Sequence, residues 1–158
     1  KAVIPLEMAS MPVTEAVRAP EVVALVSAVS AFPEVRRVVG DRQREWVSRR
    51  GGRAVVEGRD IGTVVFPGAQ VKVFLDASPT VRADRRVLEM RQKGMDADPV
   101  QVANEIRERD QRDMSRTEAP LAQAADATYV DTSSMTQEEV IQALLRIVRL
   151  KTGKEMEK

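Results

Sequence analysis

Residues 71–79 read VKVFLDASP, and they show a strand that leads directly into a helix. The first five residues, Val71–Leu75, form a nearly continuous apolar run, which is typical of a strand buried on both faces. Ser78 can cap a helix, and Pro79 suits the first helical position because the N–H that it lacks has no partner there. This stretch indicates a chain of the α/β class.

The same alternation of strand and helix continues on both sides of this stretch. Short β-branched runs at Ala54–Glu57 and Ala127–Val130 predict two further strands. Caps, prolines and apolar periodicity predict five helices, which begin near Pro20, Pro33, Pro79, Pro99 and Thr136. The inner face of the second helix is marked by Val35, Val38, Val39, Arg42 and Trp46. Because helices separate the strands, we expect a parallel sheet with flanking helices.

The composition limits the chemistry that this chain can perform. Its 158 residues are enough for one domain, and a content of 43% hydrophobic and 31% charged residues indicates a globular protein. Cysteine and histidine are both absent, which excludes disulfides, thiolate metal sites and a histidine base. Any catalysis must therefore use carboxylates, arginines, lysines and backbone dipoles.

The sequence favours small-molecule ligands over large partners. The net charge is +1, from 25 basic and 24 acidic residues, whereas nucleic-acid binders usually carry a large basic excess. Aromatic residues make up 3% of the chain, so few are available to stack on bases. No apolar run is long enough to cross a membrane, and the first residues do not resemble a signal segment. We expect a cytoplasmic monomer without a nucleic-acid or membrane partner.

The predicted helix at 99–115 changes character along its length. Its apolar face carries Val102 and Ile106, and the same sector then carries Arg109, Asp113 and Arg116. These three charged residues lie at i, i+4 and i+7, within about 60° of one another. A buried face becomes charged where it lines a polar cleft or where it leaves the core. The pattern leaves two interpretations open, a ligand-binding cleft or a solvated helix end with ion pairs.

A second group of arginines follows the central strand. Arg82, Arg85 and Arg86 share one face of the helix that begins at Pro79. In open parallel sheets, ligands bind beyond the carboxyl ends of the strands, where these arginines could contact a phosphate. An ordinary solvated helix face is the alternative interpretation.

Polar residues also lie in the turn Gly58–Asp60 and between the first two helices. Gly58 permits a tight turn, which would bring an arginine and an aspartate to the end of the preceding strand. The alternative is an ordinary turn with a local ion pair. Ser27 and Arg36 flank the junction of the first two helices, where they could bind a ligand or bond to the backbone.

Three motifs of this chain closely resemble those of bacterial cytidylate kinases, in the same order. They are VVEGRDIGTVVFP at 55–67, VKVFLDAS at 71–78 and ERDQRDMSR at 108–116. The last one continues through APL at 119–121 and AADA at 124–127. The similarity runs from about Val13 to the final helix, and three long motifs in order are far more specific than one short pattern.

The resemblance implies a nucleoside monophosphate kinase fold of the phosphate-loop type. Residues 1–52 would form a helical monophosphate-binding insertion with an irregular start, and residues 53–158 the remainder of the α/β core. A mobile lid would span about 79–94. The implied reaction transfers the γ-phosphate of ATP, with Mg²⁺, to CMP or dCMP and yields CDP or dCDP.

The resemblance also implies a role for each candidate residue. Those assigned to the acceptor are Ser27, Arg36 and Asp60 for the cytosine edge, Arg109 and Asp113 for the ribose, and Arg59 and Arg116 for the phosphate. Arg85 on the lid would reach the ATP phosphates, with Arg86 as a second candidate. Arg59, Arg85 and Arg116 would then be the catalytic residues, because phosphoryl transfer depends on alignment and charge neutralisation.

The departure from the family is large: family members begin with a strand, the phosphate loop and a helix, an arginine expected early in the monophosphate site is missing too, and residues 1–12 match poorly. The phosphate loop Gly-x-x-x-x-Gly-Lys-[Ser/Thr] is absent from the 158 residues, and with it the lysine and the hydroxyl that would hold Mg²⁺. We therefore expect a truncated kinase that turns over poorly alone and whose magnesium ligands lie mainly outside this sequence. The alternatives are a noncatalytic CMP-binding fragment and an arginine-rich protein that binds the RNA backbone.

Overall fold

The computed structural model describes residues 7–8, 11–12, 16–115, 117 and 119–153. Within these ranges, the side chains of residues 7, 8, 11, 12, 18, 20, 23, 24 and 27 lie outside the description. The chain divides into two compact units, Lys1–Trp46 and Val47–Lys158. The assignment of 1–52 to a substrate-binding insertion and of 79–94 to a lid stays a prediction.

The first unit begins with a short hairpin and continues into two helices. Strand β1 (Glu7–Met8) pairs antiparallel with β2 (Met11–Pro12), and a 3-10 turn follows at Ala16–Arg18. Helix α1 (Pro20–Val29) begins with its proline in the first turn, and α2 (Pro33–Ser48) begins at the second proline. Both predicted helices are therefore confirmed. A proline is tolerated at the first position of a helix because no hydrogen bond is lost there.

The apolar face predicted to point inward on α2 is wrong in part. Val38 and Val39 are exposed, and Gly40 is the buried residue of this helix. The apolar residues of α1 that the structure describes, among them Leu25 and Val26, are exposed as well. Apolar periodicity fixes which residues share a helix face, but burial requires another element to cover that face.

The second unit carries the parallel sheet. Strand β3 (Val73–Asp76) leads into helix α3 (Pro79–Gln92), and helix α4 (Pro99–Ser115) follows it. Strand β4 (Thr128–Asp131) then pairs parallel with β3, and helix α5 (Gln137–Thr152) completes the unit. The α/β class and the parallel pairing are therefore confirmed.

Two strand predictions are wrong. Ala54–Glu57 forms no strand, and Val55 is fully exposed. The central strand is not buried on both faces, since Leu75 is about half exposed. A β-branched run forms a strand only where another strand supplies its hydrogen bonds, and none of the strands in the described ranges pairs with 54–57.

The core of the second unit lies between α3 and α4. Val87, Ala97 and Val102 are buried together, and Met90 and Ile106 pack against them. The hydroxyl of Ser78 accepts a hydrogen bond from the Val81 amide and caps α3 as predicted. None of the helices in the described ranges combines the length and the apolar character needed to cross a membrane.

Candidate functional site

The charged half of α4 contains a buried carboxylate. Val102 and Ile106 pack into the core between α3 and α4, and Asp113 continues the same side of the helix with 2% of its surface exposed. A buried carboxylate is stable only with charge partners or hydrogen bonds. The predicted change from an aliphatic to a charged buried face is therefore present, and it excludes a fully solvated helix end.

Two arginines hold Asp113. The Nε atom of Arg59 lies 3.0 Å from Asp113 Oδ2, and the Nε atom of Arg109 lies 3.8 Å from the same oxygen. Arg109 comes from the preceding turn of α4, whereas Arg59 comes from the Gly58–Asp60 turn, more than fifty positions earlier in the chain. Both arginine side chains are partly exposed. The structure thus brings together three of the predicted site residues, and we call them the Asp113 cluster.

A close backbone approach delivers Arg59 to this cluster. A Cβ atom placed on Gly58 would lie 2.8 Å from Ile61 Cγ1, nearer than van der Waals contact allows. Ile61–Val65 then form a single π-helical turn, in which the Phe66 amide donates to the Ile61 carbonyl over 2.7 Å. The carbonyl of Asp60 accepts from the Val64 amide at 2.8 Å, so Asp60 is fixed beside Arg59. Glycine is required here by space rather than by backbone angles.

Arg85 lies at the carboxyl ends of the two parallel strands. Its Nη1 donates to Thr132 Oγ1 at 3.1 Å, and its Nη2 donates to the carbonyls of Thr132 and Met135 at 2.6 and 3.1 Å. Thr132 is buried and in turn donates to the Asp76 carbonyl. Arg86 donates to Glu89 on its own helix. Of these two arginines of α3, Arg85 therefore bonds to residues just beyond the strand β4, and Arg86 bonds to a side chain of its own helix.

The candidates of the first unit are described only in part. Arg36 Nη1 donates to the Ser30 carbonyl at 3.2 Å, where α1 ends. An arginine there satisfies a helix carbonyl that has no partner within the helix. The side chain of Ser27, on α1, lies outside the described residues. Roles for Ser27 and Arg36 in binding cytosine stay predictions.

Comparison with known proteins identifies the relatives of this chain. The sequence model of the family described as cytidylate kinase matches residues 5–150. The chain belongs to the cytidylate kinase family. Its membership confirms the resemblance carried by the three motifs and accounts for the parallel sheet.

Individual cytidylate kinases are similar over most of this chain. That of Solibacter usitatus is 50% identical over 140 residues, which cover 87% of this chain and 59% of the relative. That of Lactiplantibacillus plantarum is 45% identical over 139 residues, covering 88% and 60%. A bifunctional pantoate ligase/cytidylate kinase of Prochlorococcus marinus is 46% identical over 145 residues, covering 91% and 28%. The chain thus spans about three fifths of the length of the single-function relatives.

Arg116, a candidate site residue, follows directly after α4 in the sequence. Arg116 lies outside the described residues, so its role at the CMP phosphate stays a prediction. Farther along the chain, the Leu121 amide donates to the Asp113 carbonyl at 2.8 Å. Ala119 adopts a φ of 49°, in the left-handed region. Leu121 therefore lies against the last turn of α4, next to the residue that carries the buried carboxylate.

Two ion pairs of the second unit were not found from the sequence. Arg82 pairs with Asp110 between α3 and α4, and Arg82 Nε donates to the Ala77 carbonyl at 3.0 Å. Lys72 pairs with Asp126 at 2.8 Å and lowers the pKa of that carboxyl through its hydrogen bond. Neither pair joins neighbours along the chain, since the partners are 28 and 54 positions apart, so no local pattern indicated them.

Among the described residues, no group of three or more acidic side chains is placed to hold a metal ion. The carboxylate of the Asp113 cluster already faces two guanidinium groups. Protein-bound Mg²⁺ takes most of its ligands from phosphates and water, with one or two carboxylates. We assign none of these residues to the metal.

Proposed function

We propose that this chain binds CMP or dCMP as the phosphoryl acceptor of a cytidylate kinase whose donor is ATP. The observation that carries the proposal is the Asp113 cluster, in which one buried carboxylate lies between two partly exposed arginines. The cluster carries a net charge of +1 and offers both guanidinium donors and a carboxylate acceptor. This combination suits a phosphorylated sugar, which presents an anion and hydroxyl groups together.

Each side chain of the cluster is chemically suited to bind one part of CMP. Arg59 would bind the CMP phosphate, because a guanidinium has five N–H donors and the Asp113 contact uses Nε. Arg109 and Asp113 would bind the ribose hydroxyls, and Asp60 would bind the cytosine edge. Ser27 and Arg36 are proposed for the cytosine and Arg116 for the phosphate on the resemblance alone.

The donor side of the proposed reaction involves α3. Arg85 and Arg86 are proposed to contact the ATP phosphates, and Arg85 would then exchange its bonds to Thr132 and Met135 for bonds to phosphate. Phosphoryl transfer needs two aligned phosphates and neutralisation of the charge on the transferred group. Arginines provide both, and a bound Mg²⁺ would supply further charge neutralisation.

Calorimetric titration with CMP tests acceptor binding by the intact chain. Arg59→Ala and Asp113→Asn should weaken CMP binding by about 10- to 100-fold, because hydrogen bonds to charged groups are worth about 1.5–3 kcal/mol. Arg107→Ala is the matched control, since this exposed arginine on the same helix bonds to Asn104. Unchanged CMP affinity in both cluster variants would refute the assignment of the site.

Ligand choice separates the competing functions. Selective binding of CMP over UMP, AMP and a short RNA supports a cytidylate kinase, and transfer of the ATP γ-phosphate to CMP shows turnover. CMP binding without turnover in the presence of ATP and Mg²⁺ favours the noncatalytic CMP-binding fragment. RNA binding that is tighter than CMP binding and falls steeply with salt would favour the RNA-binding alternative.

A further inference from the structure

The ion pair between Arg82 and Asp110 joins three elements of the second unit. Arg82 lies on α3, Asp110 lies on α4, and Arg82 Nε donates to the carbonyl of Ala77, the buried residue that follows β3. Arg82 and Asp110 are both largely shielded from solvent. An ion pair with this degree of burial and a second bond to the backbone holds a defined geometry better than an exposed pair does.

The position of Asp110 on α4 relates this pair to the Asp113 cluster. Asp110 and Asp113 are three residues apart, so their side chains leave the helix about 60° from each other. Asp110 contacts Arg82 of α3, and Asp113 contacts Arg59 of the Gly58–Asp60 turn. Rotation of α4 about its axis would therefore break one contact or strain the other.

An open surface borders α4 at the ion pair. An open groove of about 500 Å³ lies beside the ion pair. The residues that line it include Pro79, Arg82, Arg107, Asp110, Gln111 and Met114. The tight apolar packing lies farther back, around Val102 and Ile106. In the charged half of α4, the orientation of the helix is therefore also held by polar contacts, among them the ion pair and the bond from the Leu121 amide to the Asp113 carbonyl.

We propose that the ion pair between Arg82 and Asp110 is a positioning pair, which sets the rotation of α4 and so holds Asp113 and Arg109 toward Arg59 for binding CMP. The inference deepens the proposed function and rests on it. Neither Arg82 nor Asp110 contacts the nucleotide in this scheme. Their effect reaches CMP through the orientation of α4.

Two readouts on the intact chain test the positioning role. The first is the Arg59 Nε–H resonance in nitrogen–proton NMR spectra, which reports the contact with Asp113 without any ligand. The second is CMP affinity by calorimetry. Asp110→Asn should shift the resonance, speed its exchange with solvent and weaken CMP binding about 3- to 30-fold. Arg82→Gln should do the same, and the double variant should bind no more weakly than the worse single variant.

Two matched controls separate positioning from a general loss of stability. Asp126→Asn breaks the ion pair with Lys72, which also joins distant parts of the chain, and should lower the melting temperature while leaving the Arg59 resonance unchanged. Glu105→Gln removes an exposed carboxylate of α4 that bonds to Gln101, and it should change neither readout.

The outcomes distinguish failure of this inference from failure of the proposed function. An unshifted Arg59 resonance and unchanged CMP affinity in Asp110→Asn would overturn the positioning role while leaving CMP binding intact. A wild-type chain that does not bind CMP would overturn the proposed function, and the positioning role with it. Additive losses in the double variant would show that Arg82 and Asp110 act separately, which also contradicts the inference.

Discussion

Gly58 shows how a residue without a side chain determines the geometry of the candidate site. The turn that carries Arg59 passes so close to Ile61 that a Cβ atom on Gly58 would overlap it. An alanine there must displace either the Ile61 side chain or the turn itself. Because Arg59 is the next residue, displacement of the turn would change its distance to Asp113.

We expect Gly58→Ala to destabilise the chain by about 1–3 kcal/mol, the usual cost of inserting a methyl group into a packed position. CMP affinity should fall as well, because Arg59 moves. Denaturant unfolding and calorimetric titration measure the two effects. Gly68→Ala is the control, since a Cβ atom on Gly68 meets nothing within 4 Å.

A double-mutant cycle identifies the cause of the loss. Ile61→Ala removes the atoms that the new methyl group would meet, so Gly58→Ala should cost less in that background than in the wild type. Equal costs in the two backgrounds would show that the close approach of Gly58 to Ile61 does not set the turn.

The sequence could predict single site residues only where neighbours along the chain determine them. Arg109 and Asp113 lie one helical turn apart, so helical periodicity alone placed them together on α4. That Arg59 contacts this pair depends on how a distant turn packs, and only the resemblance indicated it. Asp110 was missed because its partner, Arg82, is known only once α3 is placed beside α4.

At the scale of elements, α5 carries a complete capping box. Thr136 Oγ1 accepts from the Glu139 amide at 3.3 Å, and Glu139 Oε2 accepts from the Thr136 amide at 2.8 Å. The bonds that Glu139 Oε2 accepts from the Thr136 amide and, at 2.9 Å, from the Thr136 hydroxyl lower the pKa of the Glu139 carboxyl below its ordinary value of 4.5. The carboxylate also lies in the first turn, where the helix dipole favours negative charge.

The stability that Glu139 contributes should disappear in acid. Since its pKa is lower in the folded chain than in the unfolded chain, the contribution is fully present above pH 4.5 and is lost as the pH falls through the folded pKa. Glu139→Gln keeps an acceptor for the Thr136 amide but carries no charge. Its melting temperature should lie below that of the wild type at pH 7, and the difference should vanish in strong acid. A difference that persists at pH 2 would contradict this origin.

All five predicted helices are present because helix signals are local, whereas of the three predicted strands those at 71–75 and 127–130 are present and the one at 54–57 is not. Pro20, Pro33, Pro79 and Pro99 each begin a helix at the predicted residue, and a proline or cap acts within its own turn. The β-branched run at 54–57 looked equally convincing, yet a strand needs a partner that no local pattern supplies. The same reason explains why the two-sided burial predicted for β3 failed at Leu75.

For the whole molecule, stability should depend mainly on the α3–α4 core. Val102 is 4% exposed and Val100, two residues earlier on α4, is 67% exposed, which makes them a matched pair. Val102→Ala should lower the free energy of unfolding by about 1–3 kcal/mol, because it leaves a cavity. Val100→Ala should change it by less than about 0.5 kcal/mol, as exposed substitutions do. Equal losses, measured by denaturant unfolding, would place the core elsewhere.

Amide hydrogen exchange should reproduce this distribution of stability along the chain. Protection reports how rarely a segment opens, and segments with buried apolar contacts open least often. We expect the slowest exchange in α3 and α4, around Val87 and Val102, and fast exchange at 54–57, where Val55 is fully exposed. Val102→Ala should speed exchange in α3 and α4, and Val100→Ala should not. Slow exchange at 54–57 would mean that its amides are hydrogen-bonded in a sheet after all, as the β-branched pattern predicted, and the exposed conformation of that segment would then be wrong.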